Sequence, residues 1–209
     1  QQQMQQALNT GSELAESCKA KGCNVLCLGE MGIGNTSPSS VWMSLWGNLP
    51  LSSCVGSGSG LNTEGEKHKL AVLEQAVSHF KRQPLPHNDP ATIIQYFGGF
   101  EMVAAIGAML RAAELRMIVL VDGFIMSACM LAASKLNPAV LDYAVFGHCG
   151  DESGHRQLLS LMQAQPILQL GMRLGEGTGA LCAYPIIESS VRMINEMNNF
   201  KDANIDKYF

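Results

Sequence analysis

The sequence carries no excess of basic charge. Fourteen Lys and Arg residues stand against eighteen Asp and Glu residues, so the 209-residue chain has a formal net charge of -4 and a pI near 5.7. Proteins that bind nucleic acid normally present a basic surface to the phosphate backbone. We therefore expect no nucleic-acid partner.

Long apolar runs are also missing. The longest ones, 117–121 and 128–133, end at or near Asp122 and Lys135, whereas a membrane-spanning helix needs about 20 apolar residues. We expect no transmembrane helix. Residues 1–6 show neither the positive charge nor the apolar run of a secretory signal, so the expected localisation is cytoplasmic.

Several familiar site motifs are absent. No Walker loop (Gly-x-x-x-x-Gly-Lys-Ser/Thr) and no nucleophile elbow occurs, and residues 56–60 lack the spacing of a dinucleotide fingerprint. ATP and NAD are therefore disfavoured.

The seven cysteines are scattered and odd in number, and Cys23 and Cys27 have no second cysteine pair or histidine near them. This pattern indicates reduced, mostly buried thiols and no metal site.

Apolar runs alternate with segments of helical composition. With 47% hydrophobic residues, the chain is long enough to bury the core of one domain. Strand-helix alternation predicts an α/β fold with a mainly parallel sheet and helices on both faces, which is a Rossmann-like arrangement. The predicted strands are 24–28, 51–55, 117–121, 143–146 and 168–170, and the predicted helices are 1–21, 41–46, 66–82, 92–97, 101–115, 124–136, 155–163 and 180–198.

We divide the chain into three parts. Residues 1–22 form an N-terminal helix, which is a candidate part of a small helical domain. Residues 23–180 form an α/β nucleotide-binding core, and residues 181–209 form a C-terminal helix and tail. The terminal helices together would supply part of the small domain.

Three glycine-rich turns follow predicted strands, at 29–36, 56–60 and 171–179. Backbone amides in such turns can bind a phosphate without a basic side chain. A single glycine turn is equally typical of an ordinary strand-helix connection, but three at one sheet edge favour a phosphorylated ligand. Lys69, shortly after the second turn, is either a phosphate contact or a solvated surface lysine.

Acidic side chains interrupt two of these turns. Glu30 and Glu176 are candidates for acid-base chemistry, since an enclosed pocket can raise a carboxyl pKa toward neutrality. Interaction with a helix N-terminus is the alternative for Glu176.

Asp122 ends the clearest strand, where it is either a functional residue or the cap of the helix that starts at Phe124. The polar loop 147–154, with its two flanking histidines, fits no metal motif and is interpreted as ordinary loop.

Four segments carry a resemblance to a known family. GEMGIGNT (29–36), GGFE (98–101), VDGFI (121–125) and LGMRLGEGTGA (170–180) resemble the signature segments of the nicotinate-nucleotide:dimethylbenzimidazole phosphoribosyltransferases, in the same order and at similar intervals. The resemblance extends from about Asn24 to Phe200.

The resemblance implies a reaction. A benzimidazole nitrogen attacks C1′ of nicotinate mononucleotide, nicotinate leaves, and α-ribazole 5′-phosphate forms for the lower ligand of a cobamide. By similarity, Glu176 is the general base that takes the benzimidazole N–H proton, and Glu30 is an auxiliary carboxylate near the reacting centre. No metal or organic cofactor is implied, and the family resemblance implies a homodimer.

Further binding residues follow from the same resemblance. Those expected near the phosphate and ribose are Gly32, Gly58, Lys69 and Gly123, and Asp122 is a further candidate for substrate binding because of its position at the end of a strand. Arg173 and Leu174 match the nicotinate side of the pocket.

The sequence also departs from the family pattern. Ser57 stands where an arginine is usual, and His148-Cys149-Gly150 stands where the family usually has His-Arg-Ser. The resemblance covers only the C-terminal part of a typical member, about three-fifths of it. Two alternatives to an active enzyme therefore stay open: a truncated or non-catalytic nucleotide-binding homologue, and a structural half that completes its pocket with a partner.

Overall fold

The computed structural model describes residues 1–31 and 33–198. This part of the chain contains three β-strands and eight α-helices, joined by loops and two short 3-10 helices. The strands are β1 Val25–Leu28, β2 Ile118–Val121 and β3 Ala144–Phe146, and the helices are α1 Gln2–Ala20, α2 Thr36–Gly47, α3 Thr63–Arg82, α4 Pro90–Phe97, α5 Phe100–Glu114, α6 Phe124–Leu136, α7 His155–Leu161 and α8 Thr178–Glu196.

The strands form a parallel sheet in the order β1-β2-β3. Leu28 lies opposite Val121, and Val121 lies opposite Phe146, so all three strands end at the same edge. Strand β2 occupies the centre, and three of its four residues are buried, as expected for a strand covered on both faces. The predicted parallel α/β fold is confirmed, and the three strand ends define the edge where a ligand would bind.

Helix α6 forms the centre of the core. Every residue from Phe124 to Ser134 is buried, and the helix contacts α2, α4, α5 and α7. A helix that is apolar on all sides is stable only when other elements surround it. Because α6 begins two residues after Asp122, the edge of the sheet is joined directly to the most buried part of the molecule.

Helix α1 packs closely along α5. A Cβ on Gly11 would collide with the backbone carbonyl of Ala104, and one on Gly107 would collide with the backbone of Leu8. The Ser12 hydroxyl donates to the carbonyl of Leu8 at 3.0 Å and lies 3.3 Å from that of Gly107. These glycines are therefore required by the short distance between the two helix backbones.

Two predicted strands are wrong. Residues 51–55 instead contain a 3-10 helix, Leu51–Ser53, in which the amides of Ser53 and Cys54 donate to the carbonyls of Pro50 and Leu51, both at 3.0 Å. Local hydrogen bonds thus replace sheet pairing. Residues 168–170 form only one isolated bridge, between Leu168 and His148.

The predicted burial of the cysteines is only partly correct. All seven are free thiols, and Cys54, Cys129 and Cys149 are buried. Cys23, just after the Gly22 turn, and Cys182, on an outer face of α8, are exposed. No helix in the described residues is both long and apolar enough to cross a membrane.

The close contact between α1 and α5 predicts that Gly11→Ala destabilises the protein. The added methyl group would meet a backbone carbonyl that cannot rotate away, and overpacking of this kind costs about 1–3 kcal/mol. Urea unfolding followed by circular dichroism measures the loss. Thr10→Ala, one residue away on the exposed side of α1, is the control and should change stability by less than about 0.5 kcal/mol. Equal unfolding midpoints for the two variants would contradict this packing.

Candidate active site

An open cavity lies at the carboxyl edge of the sheet. It is lined by seven of the residues predicted from the sequence, which come from separate parts of the chain: Glu30, Gly58, Asp122, Gly123, Arg173, Leu174 and Glu176. The predicted Gly32 lies outside the described residues. The fold therefore brings the first and third glycine turns to one site, together with the end of β2.

The turns that carry Glu30 and Glu176 are in direct backbone contact. The amide of Glu176 donates to the carbonyl of Glu30 at 2.9 Å, and a Cβ on Gly29 would collide with the backbone of Glu176 and Gly177. The Glu30 carboxylate also accepts a hydrogen bond from the Asn35 side chain at 2.9 Å. Glu30 and Glu176 consequently line the cavity from two turns whose backbones touch.

Glu176 adopts a backbone conformation that glycine would adopt more easily. Its φ is +65°, in the left-handed region that costs a residue with a Cβ roughly 1 kcal/mol. Its side chain is exposed within the cavity lining. The backbone conformation of the turn therefore does not by itself account for a glutamate in this position.

Asp122 holds the start of α8. The carboxylate is buried, with 2% of the residue exposed, and its Oδ2 and Oδ1 accept hydrogen bonds from the amides of Gly177 at 3.0 Å and Ala180 at 2.9 Å. Helix α6, which was the predicted alternative, begins after Gly123 with no side-chain cap. Asp122 thus caps a helix more than fifty residues away and fixes the backbone beside Glu176.

Lys69 is not itself one of the residues that line the cavity, but it contacts Thr36, which is one of them. Its ammonium donates to the Thr36 hydroxyl at 2.9 Å and to the Gly56 carbonyl at 3.0 Å. Burial lowers the pKa of Lys69, whereas the nearby carboxylates of Glu152 and Glu66 raise it. The side chain is therefore held in place, unlike a solvated surface lysine.

Gly58 allows Lys69 and Thr36 to approach the second glycine turn. Its φ is +56°, and a Cβ there would lie 2.9 Å from the Thr36 hydroxyl and 3.5 Å from the Lys69 ammonium. A side chain at this position would be strained and would also fill the space beside the ammonium. The second glycine turn, although it follows no strand, thus reaches the same cavity.

Arg173 and Leu174 lie at the rim. The Arg173 guanidinium pairs with one Asp151 oxygen through Nε at 2.8 Å and Nη2 at 2.7 Å. This ion pair joins the third glycine turn to the polar loop 147–154. Leu174 is 59% exposed and presents an apolar side chain to whatever occupies the opening.

Sequence reasoning missed the contribution of the polar loop. Glu152 and Gly150 line the cavity. The pKa of Glu152 is raised, mainly by burial and further by the carboxylates of Glu30 and Asp151. The positive charges of Lys69 and Arg173 lower the same pKa. The position of this loop after β3, at the carboxyl edge, was the signal available in the sequence.

His155 holds that loop through a hydrogen bond to its backbone. The residue is fully buried, its Nδ1 accepts the Gly150 amide at 2.9 Å, and its Nε2 lies 3.2 Å from the Ser127 hydroxyl. Burial lowers the pKa of His155 to about 3, so the ring is neutral near pH 7. Because Nδ1 accepts a hydrogen bond, the single ring proton lies on Nε2.

No cluster of three or more potential metal ligands occurs in residues 1–31 and 33–198.

Comparisons with known proteins identify the family. A family model described as phosphoribosyltransferase matches residues 1–205. The nicotinate-nucleotide–dimethylbenzimidazole phosphoribosyltransferase of Bacteroides fragilis (strain ATCC 25285) is 59% identical over 209 residues, which are 100% of this chain and 59% of the relative. The protein of the same name from Phocaeicola vulgatus is 59% identical over 208 residues, with the same coverage.

A solved structure agrees with these relatives. The crystal structure of CobT from Thermus thermophilus superimposes with a TM-score of 0.90 at 33% identity, covering 98% of this chain and 60% of that one. The chain thus spans about three-fifths of the length of the relatives it matches. Because the family model accounts for nearly all of its residues, the chain belongs to the nicotinate-nucleotide:dimethylbenzimidazole phosphoribosyltransferase family.

Proposed function

We propose that this protein transfers the phosphoribosyl group of nicotinate mononucleotide to a benzimidazole such as dimethylbenzimidazole. The products are α-ribazole 5′-phosphate and nicotinate, and the former supplies the lower-ligand nucleotide of a cobamide. One observation carries the proposal: Glu30 and Glu176 lie on hydrogen-bonded turns at a single cavity, next to a glycine turn held against Lys69.

The phosphate would bind near Lys69. Two of the three ammonium protons are used by Thr36 and Gly56, which leaves one for an anion and fixes its direction. Gly58 keeps the adjacent space open. Gly32, which lies outside the described residues, stays a proposed phosphate or ribose contact on the strength of the family resemblance alone.

The proposed chemistry requires one base and one negative charge near C1′. Glu176 removes the benzimidazole N–H proton while the other ring nitrogen forms a bond to C1′. The bond from C1′ to the nicotinate nitrogen breaks, and its electron pair stays on that nitrogen. The Glu30 carboxylate stabilises the positive charge that develops on the ribose in the transition state. No metal or organic cofactor takes part in this scheme.

The remaining predicted residues complete the pocket. Gly123 would lie against the ribose, and Arg173 and Leu174 would lie on the nicotinate side. For Asp122, both oxygens already accept backbone hydrogen bonds. We therefore assign Asp122 chiefly to holding the α8 turn beside the ribose.

A second candidate function is nucleotide binding without turnover. Ser57 and Gly150 depart from the family pattern at two potential anion contacts, and the Gly150 amide is already donated to His155. This alternative predicts that nicotinate mononucleotide binds and that no product forms.

Several finer assignments belong to the same proposal. They are a homodimer, a cytoplasmic location, a Rossmann-like core at 23–180, and terminal segments 1–22 and 181–209 whose helices contribute to a small helical domain. Residues 199–209 of the last segment lie outside the described residues. Exposed apolar side chains on α8, such as Leu181 and Ile194, support a further protein surface against this helix.

Product formation tests the proposed function directly. The purified protein is mixed with nicotinate mononucleotide and dimethylbenzimidazole, and α-ribazole 5′-phosphate is detected by chromatography. We expect product. If the folded protein binds the mononucleotide but forms none, the non-catalytic alternative is correct.

Glu176→Gln should retain nucleotide binding and lose most turnover. The amide keeps the size of the side chain but cannot accept the proton, and loss of a general base typically lowers kcat about 10²- to 10⁴-fold. Initial rates and calorimetric binding of nicotinate mononucleotide measure the two effects separately. Glu188→Gln, on an exposed face of α8, is the matched control. Full activity in the Glu176 variant would exclude it as the base.

Lys69→Ala should weaken binding through the phosphate. A hydrogen bond to a charged group contributes about 1.5–3 kcal/mol, so we expect Kd for nicotinate mononucleotide to rise roughly 10- to 100-fold. Affinity for nicotinate riboside, which lacks the phosphate, should change little. Lys67→Ala, two residues earlier and exposed, provides the control. An unchanged Kd in Lys69→Ala would exclude Lys69 as a phosphate contact and leave it with a purely structural role beside Thr36 and Gly56.

A further inference from the structure

His148 is a buried imidazole whose hydrogen-bonding capacity is unused. The residue is 2% exposed, and neither ring nitrogen has a hydrogen-bond partner among the described residues. Leaving a buried polar group unsatisfied costs about 1–3 kcal/mol. The ring nevertheless belongs to the lining of the cavity, so its position calls for a physical reason.

Gly179 makes the space that the His148 ring occupies, and Gly123 and Gly150 border that space. A Cβ on Gly179, in the first turn of α8, would collide with the ring. One on Gly123 would lie 3.4 Å from Nε2, and one on Gly150 would lie 3.4 Å from Cε1. The ring therefore fills a slot between the end of β2, the polar loop and the start of α8.

The ring is directed at Asp122. Nε2 lies 3.6 Å from Asp122 Oδ1, somewhat beyond the usual hydrogen-bond range of about 2.7–3.2 Å. Oδ1 is the oxygen that accepts from the Ala180 amide. The other titratable ring nearby is His155, 6.1 Å away between centroids, and it is already committed to Gly150 and Ser127.

Burial keeps the His148 ring uncharged. It lowers the pKa of His148 and outweighs the opposing influence of Asp122. A neutral imidazole has one N–H donor, and the neighbouring carboxylate favours that proton on Nε2. A displacement of a few tenths of an ångström would then complete a hydrogen bond from His148 to Asp122.

Asp122 connects this donor to Glu176. Its two hydrogen bonds hold Gly177 and Ala180, and Gly177 follows Glu176 directly. The left-handed backbone of Glu176 persists only if surrounding contacts hold it there. A carboxylate that is itself held in one orientation provides such a contact.

We propose that His148 is a positioning residue, whose Nε2–H orients Asp122 and thereby fixes the turn that presents Glu176 to the substrate. The kinetic consequence rests on the proposed function. The structural consequence, an ordered Gly177–Ala180 turn, can be measured without any turnover.

Two substitutions separate the donor from the volume of the ring. His148→Gln places an amide N–H at a reach close to that of Nε2, whereas His148→Leu fills the slot with no donor. We expect the leucine variant to lose kcat by about 10- to 100-fold, because small displacements of a catalytic group have effects of that size. Its KM for nicotinate mononucleotide should stay within about twofold, and the glutamine variant should keep most of the activity. Equal kcat losses in both variants would overturn the proposal.

Nuclear magnetic resonance provides a test that does not depend on activity. In the unsubstituted protein, ¹⁵N spectra of the histidine rings should place the His148 proton on Nε2, and a proton on Nδ1 would overturn the proposal. The amide protons of Gly177 and Ala180 should shift in His148→Leu and keep their positions in His148→Gln. Unshifted amides in both variants would refute the role of His148. If the protein forms no product yet these amides respond as expected, the proposed function fails and the positioning role stands.

Discussion

The two hydrogen bonds accepted by Asp122 hold the site together. Strand β2 ends at this residue, and its carboxylate reaches the amides of Gly177 and Ala180 at the start of α8. Without that connection, the turn carrying Glu176 would be fixed to the sheet mainly by its contact with Glu30. Because Asp122 is buried, water does not compete for these bonds, and they are stronger than the same bonds would be at the surface.

Much of the fold follows from local patterns in the sequence. Strand β2 could be predicted because it is a short apolar run. Helix α6 could be predicted because a longer apolar segment follows Asp122-Gly123. The predicted strand at 51–55 failed for a local reason: Pro50 and the serines that follow favour a 3-10 turn. An apolar run alone does not distinguish a strand from a buried turn.

The site could be predicted only in part. The turns that carry Glu30 and Glu176 could be recognised in the sequence by their glycines. Glycine is needed where two backbones nearly touch, as at Gly29, because a side chain there would collide with the neighbouring backbone. The role of Asp122 could not be deduced, since its partners lie 55 and 58 residues along the chain. The burial of His148 was hidden for the same reason, because Gly123 and Gly179, which border its ring, lie in segments far from its own loop in the sequence.

Helix α6 restricts how this family member can change over evolution. Since its buried residues begin immediately after Gly123, which lines the cavity, a substitution that reshapes this part of the cavity also alters the packing of the core. The rim is free of that restriction, because Met31 and Leu174 are 73% and 59% exposed. Changes in what the cavity binds would therefore arise through rim side chains, at little cost in folding, whereas changes beside Gly123 would also have to preserve the packing of α6.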